Sequence, residues 1–246
     1  MELKNINSGL LIALFFIITQ VAFSQKLYQK HKEALPYSFW VYEPEGYDKK
    51  QDWPLIIFLH GRSLSGNDLS LVKKYGVIAE IEKGRKFPAV IIAPQVAKGE
   101  SWSPDKLVEC VNFMKKSYHI DSNRVSVTGM SLGGYGTLHA VGKYPDVFSC
   151  GAAFCGGGKA SDACKLAEIP LWIAHGTKDE KVPYSESSSL VEKIKKCNDK
   201  NLKFTIFQDG NHGILERMFR TEELYDFLIK NKKGEPAYFP KYPDKK

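Results

Sequence analysis

Gly129, Ser131 and Gly133 form the pattern Gly-x-Ser-x-Gly, the sharpest sign of chemistry in the 246-residue sequence. Residues 124–128, before the motif, predict a strand, and residues 132–144, after it, predict a helix. A serine on a tight strand-to-helix turn projects its Oγ above the sheet, and the flanking glycines let the turn close without Cβ clashes. The motif in this context predicts that Ser131 is a catalytic nucleophile.

A serine nucleophile needs a base, and the base needs a carboxylate that orients it. For a nucleophile on such a turn the chain order is serine, then aspartate or glutamate, then histidine. Of the six histidines, only His212 follows both Ser131 and the acidic candidates, whereas His175 precedes those candidates. His212 lies in a turn after the strand predicted at residues 202–207, where a base would reach the carboxyl edge of the sheet. We therefore predict His212 as the catalytic base.

Asp179 is the predicted orienting acid. It lies on the loop after the strand predicted at residues 170–174, early enough in that loop to reach His212. There it would fix the imidazole tautomer and stabilise the imidazolium without taking the proton. Glu180 is the alternative acid, whereas Asp209 lies too near His212 in sequence for the usual geometry.

An acyl-transfer site also needs N–H donors for the oxyanion. The N–H of Leu132, directly after the nucleophile, is one predicted donor. The second is expected on the loop of residues 60–66, with the Arg62 N–H as first choice and the Ser63 N–H as second. His60 is interpreted as a structural residue that holds this loop.

Trp102 follows the strand predicted at residues 88–94 and is expected to form a wall of the substrate pocket. The competing interpretation is an exposed loop tryptophan without a role. No further side chain is assigned to substrate binding.

Metal and cofactor sites are not predicted. The five cysteines show no Cys-x-x-Cys pair and no zinc-ligand spacing. In an exported protein they allow at most two disulfides, and a bridge among Cys155, Cys164 and Cys197 is conceivable. The sequence does not establish the pairing.

Apolar, β-rich segments alternate with helical periodicity along the chain, which predicts a mostly parallel sheet with helices on both faces. The predicted buried strands are residues 54–59, 88–94, 124–128, 148–154, 170–174 and 202–207. The predicted helices are residues 107–118, 132–144, 187–197 and 222–230. Residues 37–42 alternate in polarity and predict an antiparallel edge strand near the start.

Three segments are predicted along the chain. Residues 1–24 resemble a signal peptide, because a polar start precedes the apolar run 10–18 and small residues precede a cleavage site after Ser24. Residues 25–232 are the expected catalytic domain, and the basic, proline-containing tail 233–246 is expected to lie on the surface or fray. Cleavage would leave no membrane anchor, so we expect a periplasmic or secreted protein.

Composition excludes other classes. An apolar fraction of 43% suits a folded domain rather than a disordered chain. The net charge of +7 comes from basic residues spread along the sequence, without a recognisable nucleic-acid motif. We therefore predict no nucleic-acid partner, and the oligomeric state stays open.

Four motifs together resemble the α/β-hydrolase superfamily, in its esterase and dienelactone-hydrolase-like branch. They are LHG at 59–61, GMSLGGYGT at 129–137, HGTKDEKVP at 175–183 and GNHG at 210–213. The sequence is similar to feruloyl and acetyl-xylan esterases and to prolyl-oligopeptidase-type peptidases over roughly residues 37–230. This resemblance implies Ser131, Asp179 and His212 as the triad. Arg62 and Ser63 stand where glycines often follow the His-Gly pair.

The expected protein is a secreted serine esterase without a metal or organic cofactor. The segment between the strands at 148–154 and 170–174 has room for one or two helical turns, so no cap domain is predicted. An open site suits acetyl or hydroxycinnamoyl groups on plant-type polysaccharides or oligosaccharides, the expected partners. The alternatives are a small-peptide serine peptidase and a non-catalytic glycan-binding module with the same fold.

Overall fold

The computed structural model describes residues 25–30, 35–48 and 51–241. The predicted signal peptide lies outside the described residues. The strands are β1 Lys26–Lys30, β2 Phe39–Glu43, β3 Trp53–Leu59, β4 Val90–Pro94, β5 Ile120–Met130, β6 Cys150–Phe154, β7 Leu171–Gly176 and β8 Leu202–Phe207. The α-helices are α1 Val77–Glu82, α2 Pro104–Ser117, α3 Leu132–Lys143, α4 Ala163–Leu166, α5 Ser185–Cys197 and α6 Glu222–Lys230. Short 3-10 helices span Arg62–Leu64, Leu69–Lys73, Ala160–Asp162 and His212–Arg220. None of these helices is both long and apolar enough to cross a membrane.

The strands form one sheet in the order β1-β2-β4-β3-β5-β6-β7-β8. The six strands from β4 to β8 run parallel, with Ile57 of β3 opposite Ile92 of β4 and Val127 of β5 opposite Gly151 of β6. The first two strands pair antiparallel to their neighbours. This is the mostly parallel sheet that the sequence predicts, and parallel strands carry their functional loops on one common edge.

Helices cover both faces of the sheet, and the side chains of β3 point alternately into the two cores. Leu55, Ile57 and Leu59 belong to the core beneath α2, α3 and α5, whereas Ile56 and Phe58 belong to the core beneath α1 and α6. All five side chains are fully buried. Each contributes about 1.5–3 kcal/mol to folding through burial. A continuously apolar strand is therefore stabilised from both sides.

The prediction of an edge strand at residues 37–42 is wrong in its position. The strand there, β2, is antiparallel as expected, but it lies between β1 and β4. The edge is β1, Lys26–Lys30, whose polar and half-exposed residues suit a strand with one open side. Because β2 has neighbours on both sides, Phe39 and Trp40 are both buried.

The segment between β6 and β7 is short, as predicted. It holds the 3-10 turn Ala160–Asp162 and the single turn of α4. No cap domain is inserted there, so the carboxyl edge of the parallel strands stays open to solvent.

One disulfide joins Cys164 of α4 to Cys197 of α5, 33 residues apart in sequence. Cys110, Cys150 and Cys155 are free, buried thiols. The bridge is one of the pairings left open by the sequence, and it links two helices on the same face of the sheet.

The first part of the tail predicted at 233–246 packs on the domain instead of fraying. The Asn231 side chain donates to the Tyr238 carbonyl at 3.0 Å and accepts from the Tyr238 N–H at 2.9 Å. Phe239 stacks on Phe227 of α6 with ring centroids 5.4 Å apart. Aromatic stacking therefore holds residues 238–239 on the domain, although the lysines and prolines of the tail predicted that it could fray.

Candidate active site

Ser131 occupies a strained turn between β5 and α3. Its φ of 59° and ψ of −120° lie in a region that residues other than glycine rarely adopt. The Ser131 N–H donates to the Phe154 carbonyl at 2.9 Å, which ties the turn to the end of β6. A Cβ at Gly133 would overlap the Leu59 carbonyl oxygen, so only glycine lets α3 start this close to β3. The geometry matches that of an exposed nucleophile.

The loop after β3 reaches the same turn. A Cβ at Gly61 would lie 3.3 Å from the Ser131 Cβ. Arg62, Ser63 and Leu132 line one cavity with Ser131. Among the described residues, none of these three N–H groups donates to a backbone carbonyl. Both candidate second donors are therefore next to the nucleophile, and the choice between Arg62 and Ser63 stays open.

Asp179 and His212 form a short hydrogen bond, with His212 Nδ1 2.7 Å from Asp179 Oδ2. The other carboxylate oxygen accepts from the N–H groups of Lys181 and Val182, both at 2.9 Å. The Asp179 side chain is fully buried, whereas 22% of the His212 side chain is exposed. Burial alone would raise the pKa of Asp179, but the Val182 N–H, His212 and the Lys181 N–H together hold it below its usual value. The acid is therefore an anion aimed at a partly accessible base.

The loops that carry the acid and the base are bonded to each other. The Thr177 N–H donates to the Phe207 carbonyl at 3.0 Å, and the Lys178 N–H donates to the Gly210 carbonyl at 2.9 Å. A Cβ at Gly176 would overlap the Gly210 carbonyl oxygen. Close packing at the ends of β7 and β8 therefore sets the distance between the two side chains.

The rejected acids do not share this environment. Glu180 is exposed, and Asp209 is exposed and paired with Lys178 Nζ at 2.9 Å. The structure thus brings Asp179, and neither alternative, to His212.

A cavity of about 760 Å³ opens above the carboxyl edge of the sheet. Its lining includes Ser131 and His212 together with aromatic and charged side chains from α3, from two 3-10 helices and from loops: Arg62, Tyr75, Trp102, Tyr135, His139, Lys181 and Glu216. Within the described residues no hydrogen bond joins Ser131 Oγ to His212. Such bonds are often long in unliganded sites and tighten when substrate binds.

Trp102 is 4% exposed, so the interpretation of an exposed loop residue is wrong. It lines the cavity, and its indole N–H donates to the His60 carbonyl at 3.2 Å. The fully buried His60 donates from Nδ1 to the Gly61 carbonyl at 2.7 Å and accepts the Val96 N–H on Nε2 at 3.3 Å. Burial lowers the pKa of His60 to about 4, which keeps the ring neutral. His60 holds its loop, as the sequence analysis interpreted it.

Two residues of the site escaped sequence reasoning. Tyr75 lines the cavity and accepts the Gly61 N–H on its hydroxyl at 2.8 Å. Cys155 follows β6 with φ of 39°, and its Sγ lies within 4.8 Å of ligand atoms of Asp179 and His212. Tyr75 belongs to no local motif, and only the tertiary fold brings it to the site. Cys155 directly follows the strand predicted at residues 148–154, and that position was the signal that could have found it.

Cys155, Asp179 and His212 are the one group in the described part of the chain with metal-ligand spacing. The 2.7 Å hydrogen bond between Asp179 and His212 engages two of the three candidate ligand atoms. A metal at this position would have to break that bond. The donor set therefore fits a hydrogen-bonded dyad better than a resident ion.

Residues 101–231 match the model of a family described as phospholipase/carboxylesterase. The match covers more than half of the 246-residue chain. The chain belongs to this family. The matched span contains Ser131, Asp179 and His212, whereas the loop with Arg62 and Ser63 precedes it.

Two curated relatives match parts of the chain. A bifunctional acetylxylan esterase/xylanase of Neocallimastix patriciarum is 26% identical over 147 residues, which cover 56% of this chain and 21% of that protein. Protein usf of Aquifex pyrophilus is 27% identical over 118 residues, which cover 47% of this chain and 49% of that protein. The chain thus spans half or less of the length of these relatives.

Solved structures show the same α/β-hydrolase fold. A thermostable esterase superposes with a TM-score of 0.71 at 24% identity, over 85% of this chain and 63% of that chain. A feruloyl esterase module of Clostridium thermocellum gives a TM-score of 0.62 at 15% identity, over 90% and 92% of the two chains. An acylaminoacyl peptidase gives 0.62 at 16% identity, over 90% of this chain and 43% of that one. The predicted fold is confirmed.

Proposed function

We propose that the protein is a serine esterase that uses Ser131, His212 and Asp179 as its catalytic triad. One observation carries this proposal: a strained serine and an Asp179-bound histidine open onto the same cavity. Family membership supports carboxylic ester hydrolysis as the reaction type.

In the proposed reaction, Ser131 Oγ attacks the acyl carbonyl while His212 Nε2 takes its proton. The oxyanion accepts hydrogen bonds from the N–H of Leu132 and from that of Arg62, or of Ser63 in its place. His212 then protonates the leaving alcohol, and an acyl-enzyme ester remains on Ser131. Water, deprotonated by His212, releases the acid and restores the serine. Asp179 stays ionised throughout because three hydrogen-bond donors surround it.

The proposed location is the periplasm or the exterior of the cell. The disulfide between Cys164 and Cys197 supports an oxidising compartment, where such bonds persist. The apolar run at residues 10–18, on which the signal-peptide prediction rests, agrees with export.

We propose acyl decorations of plant-type glycans as substrates. No cap domain covers the cavity within the described part of the chain, so a short acyl group can enter while the attached polymer remains in solvent. Its aromatic lining, with Tyr75, Trp102 and Tyr135, suits a hydroxycinnamoyl ring, which would pack edge-on or offset against these side chains. The exposed Arg62 and Lys181 at the same cavity suit hydroxyl-rich sugars better than a long lipid chain. The similarity to a protein named for acetylxylan esterase activity supports the same class.

Mass spectrometry of acetylated and feruloylated xylo-oligosaccharides, before and after incubation, tests this assignment. We expect loss of acetyl or feruloyl mass with the wild type and none with Ser131→Ala. Untouched oligosaccharides together with cleavage of long-chain triglycerides would contradict the glycan assignment while leaving esterase chemistry in place.

A small-peptide serine peptidase is the second candidate, because acylaminoacyl peptidases share the fold over 90% of this chain. The chain covers only 43% of that protein, so the likeness concerns one part of it. Cleavage of N-acylated peptides in the same experiment, with intact xylo-oligosaccharides, would favour the peptidase. A folded protein that cleaves neither class would favour a non-catalytic glycan-binding module.

A further inference from the structure

A second histidine, His175, contacts the carboxylate that orients the predicted base. It is the next-to-last residue of β7 and is fully buried. Its Nε2 lies 3.3 Å from Asp179 Oδ2, the oxygen that also bonds His212 Nδ1 at 2.7 Å. The chain order excludes His175 as the base, and the proposed mechanism gives it no role.

Hydrogen-bond partners fix the proton on His175 Nε2. This nitrogen also lies 3.0 Å from the Val182 carbonyl oxygen. A carbonyl and an ionised carboxylate only accept hydrogen bonds, so the nitrogen that faces both must carry a proton. His175 Nε2–H therefore donates to the Val182 carbonyl, and the same N–H group lies 3.3 Å from the Asp179 carboxylate.

Contacts on the other side of the ring hold this orientation. His175 Nδ1 lies 2.7 Å from Ser187 Oγ on α5, and that hydroxyl also lies 2.6 Å from the Gly156 carbonyl oxygen. Ser187 is itself fully buried. Because both ring nitrogens have partners, rotation of the imidazole would break at least two hydrogen bonds.

The protonation of His175 depends on the groups that surround its ring. The titratable groups that face its ring are Asp179, His212 and Tyr184, whose ring centroid is 5.8 Å away. Burial lowers the pKa of His175, while the Val182 carbonyl and Asp179 act in the opposite direction. The proton on Nε2, which the Val182 carbonyl fixes, stabilises the Asp179 carboxylate in either charge state of the ring.

We propose that His175 is a positioning residue whose Nε2–H, held by Ser187 and Val182, keeps the Asp179 carboxylate ionised and aimed at His212. This inference rests on the proposed serine esterase function and adds a fourth side chain, in contact with the Asp179 carboxylate, to the proposed triad. His175 acts through Asp179 and touches neither substrate nor nucleophile.

Three variants test the proposal with p-nitrophenyl acetate as substrate. In His175→Leu the donor is lost, and we expect kcat to fall about tenfold to a hundredfold, as for a lost hydrogen bond to a charged group. KM should stay within about twofold, because no substrate contact changes. His175→Gln keeps an N–H donor and should retain kcat within about fivefold. Ser187→Ala removes the ring's support and should give a smaller loss in the same direction.

The pH profile separates positioning from a general packing defect. Without His175 Nε2–H, the negative charge of Asp179 is less stabilised, so the carboxylate stabilises a proton on His212 more strongly. The midpoint of the acidic limb of kcat/KM should therefore move to higher pH in His175→Leu. Ile173→Ala provides the packing control, since Ile173 is equally buried in the same strand β7 and belongs to the hydrophobic core. Its profile should keep the wild-type midpoint.

A folded His175→Leu variant with wild-type kcat, or with an unmoved acidic limb, overturns the inference and leaves the esterase function standing. If His175→Leu does not fold, Ser187→Ala decides: a lower kcat with a shifted limb supports the proposal, and an unchanged profile refutes it. A wild type that hydrolyses no ester and reacts with no fluorophosphonate overturns the proposed function and this inference together.

Discussion

At the scale of single residues, the site depends on a buried anion. The Asp179 carboxylate has no exposed surface, and hydrogen bonds from Lys181, Val182 and His212 offset the cost of burying its charge. Glu180 is adjacent in sequence but exposed. Of these two neighbouring carboxylates, only Asp179 is buried and hydrogen-bonded to His212.

Replacement of the buried acid should abolish most activity. In Asp179→Asn the amide can present its NH₂ to His212, which would favour the wrong imidazole tautomer. We expect kcat to fall by about 10⁴, with little change in KM. The matched control, Glu180→Gln, should stay within about twofold of wild type. Steady-state kinetics of both variants, with circular dichroism to verify folding, checks this. Equal losses in the two variants would contradict the assignment of Asp179.

At the scale of elements, the most informative feature was the order in which strands and candidate site residues follow one another along the chain. Each predicted functional side chain follows a strand, and parallel strands bring their carboxyl ends to one edge. That rule sufficed to bring Ser131, Asp179 and His212 to a common edge, and their order excluded His175 as the base. The buried strands could be predicted because continuous apolar segments are typical of sheets covered on both faces.

Features that depend on pairing or on tertiary contact were harder to predict. Residues 26–30 carry mostly polar side chains, so neither β1 nor its place at the edge could be predicted. The choice between Arg62 and Ser63 depends on backbone orientation within one loop, which periodicity does not report. Tyr75 reaches the site from a segment without a local pattern, whereas Cys155 follows a predicted strand and could have been placed at the edge by the same rule.

At the scale of the whole molecule, the burial of His60 couples the stability of the fold to pH. His60 is fully buried, and burial lowers its pKa from 6.5 to about 4. In the unfolded chain the same ring binds a proton near pH 6.5. The unfolded state therefore takes up protons that the folded state rejects, and acid favours unfolding.

Stability should fall in a defined pH window. The contribution of the neutral His60 to the free energy of unfolding is fully present above about pH 6.5. It is lost as the pH falls toward 4, because the unfolded chain binds the proton first. At about 1.4 kcal/mol per unit, His60 alone accounts for about 3 kcal/mol of unfolding free energy. Urea unfolding at pH 7.5 and 4.5 measures the difference, which should shrink in His60→Gln. His119→Gln serves as the control, because that side chain is 47% exposed. Equal pH dependence in wild type and His60→Gln would refute this explanation.

Ser131 is the proposed nucleophile of a serine esterase. A fluorophosphonate reacts with a serine that an adjacent base activates, so the site of labelling reports the nucleophile directly. Peptide mapping of the labelled protein by mass spectrometry is the most direct measurement. The structure predicts one adduct, on Ser131, which disappears in Ser131→Ala and weakens strongly in His212→Ala. An adduct on another residue, or none on the folded wild-type protein, would contradict the claim.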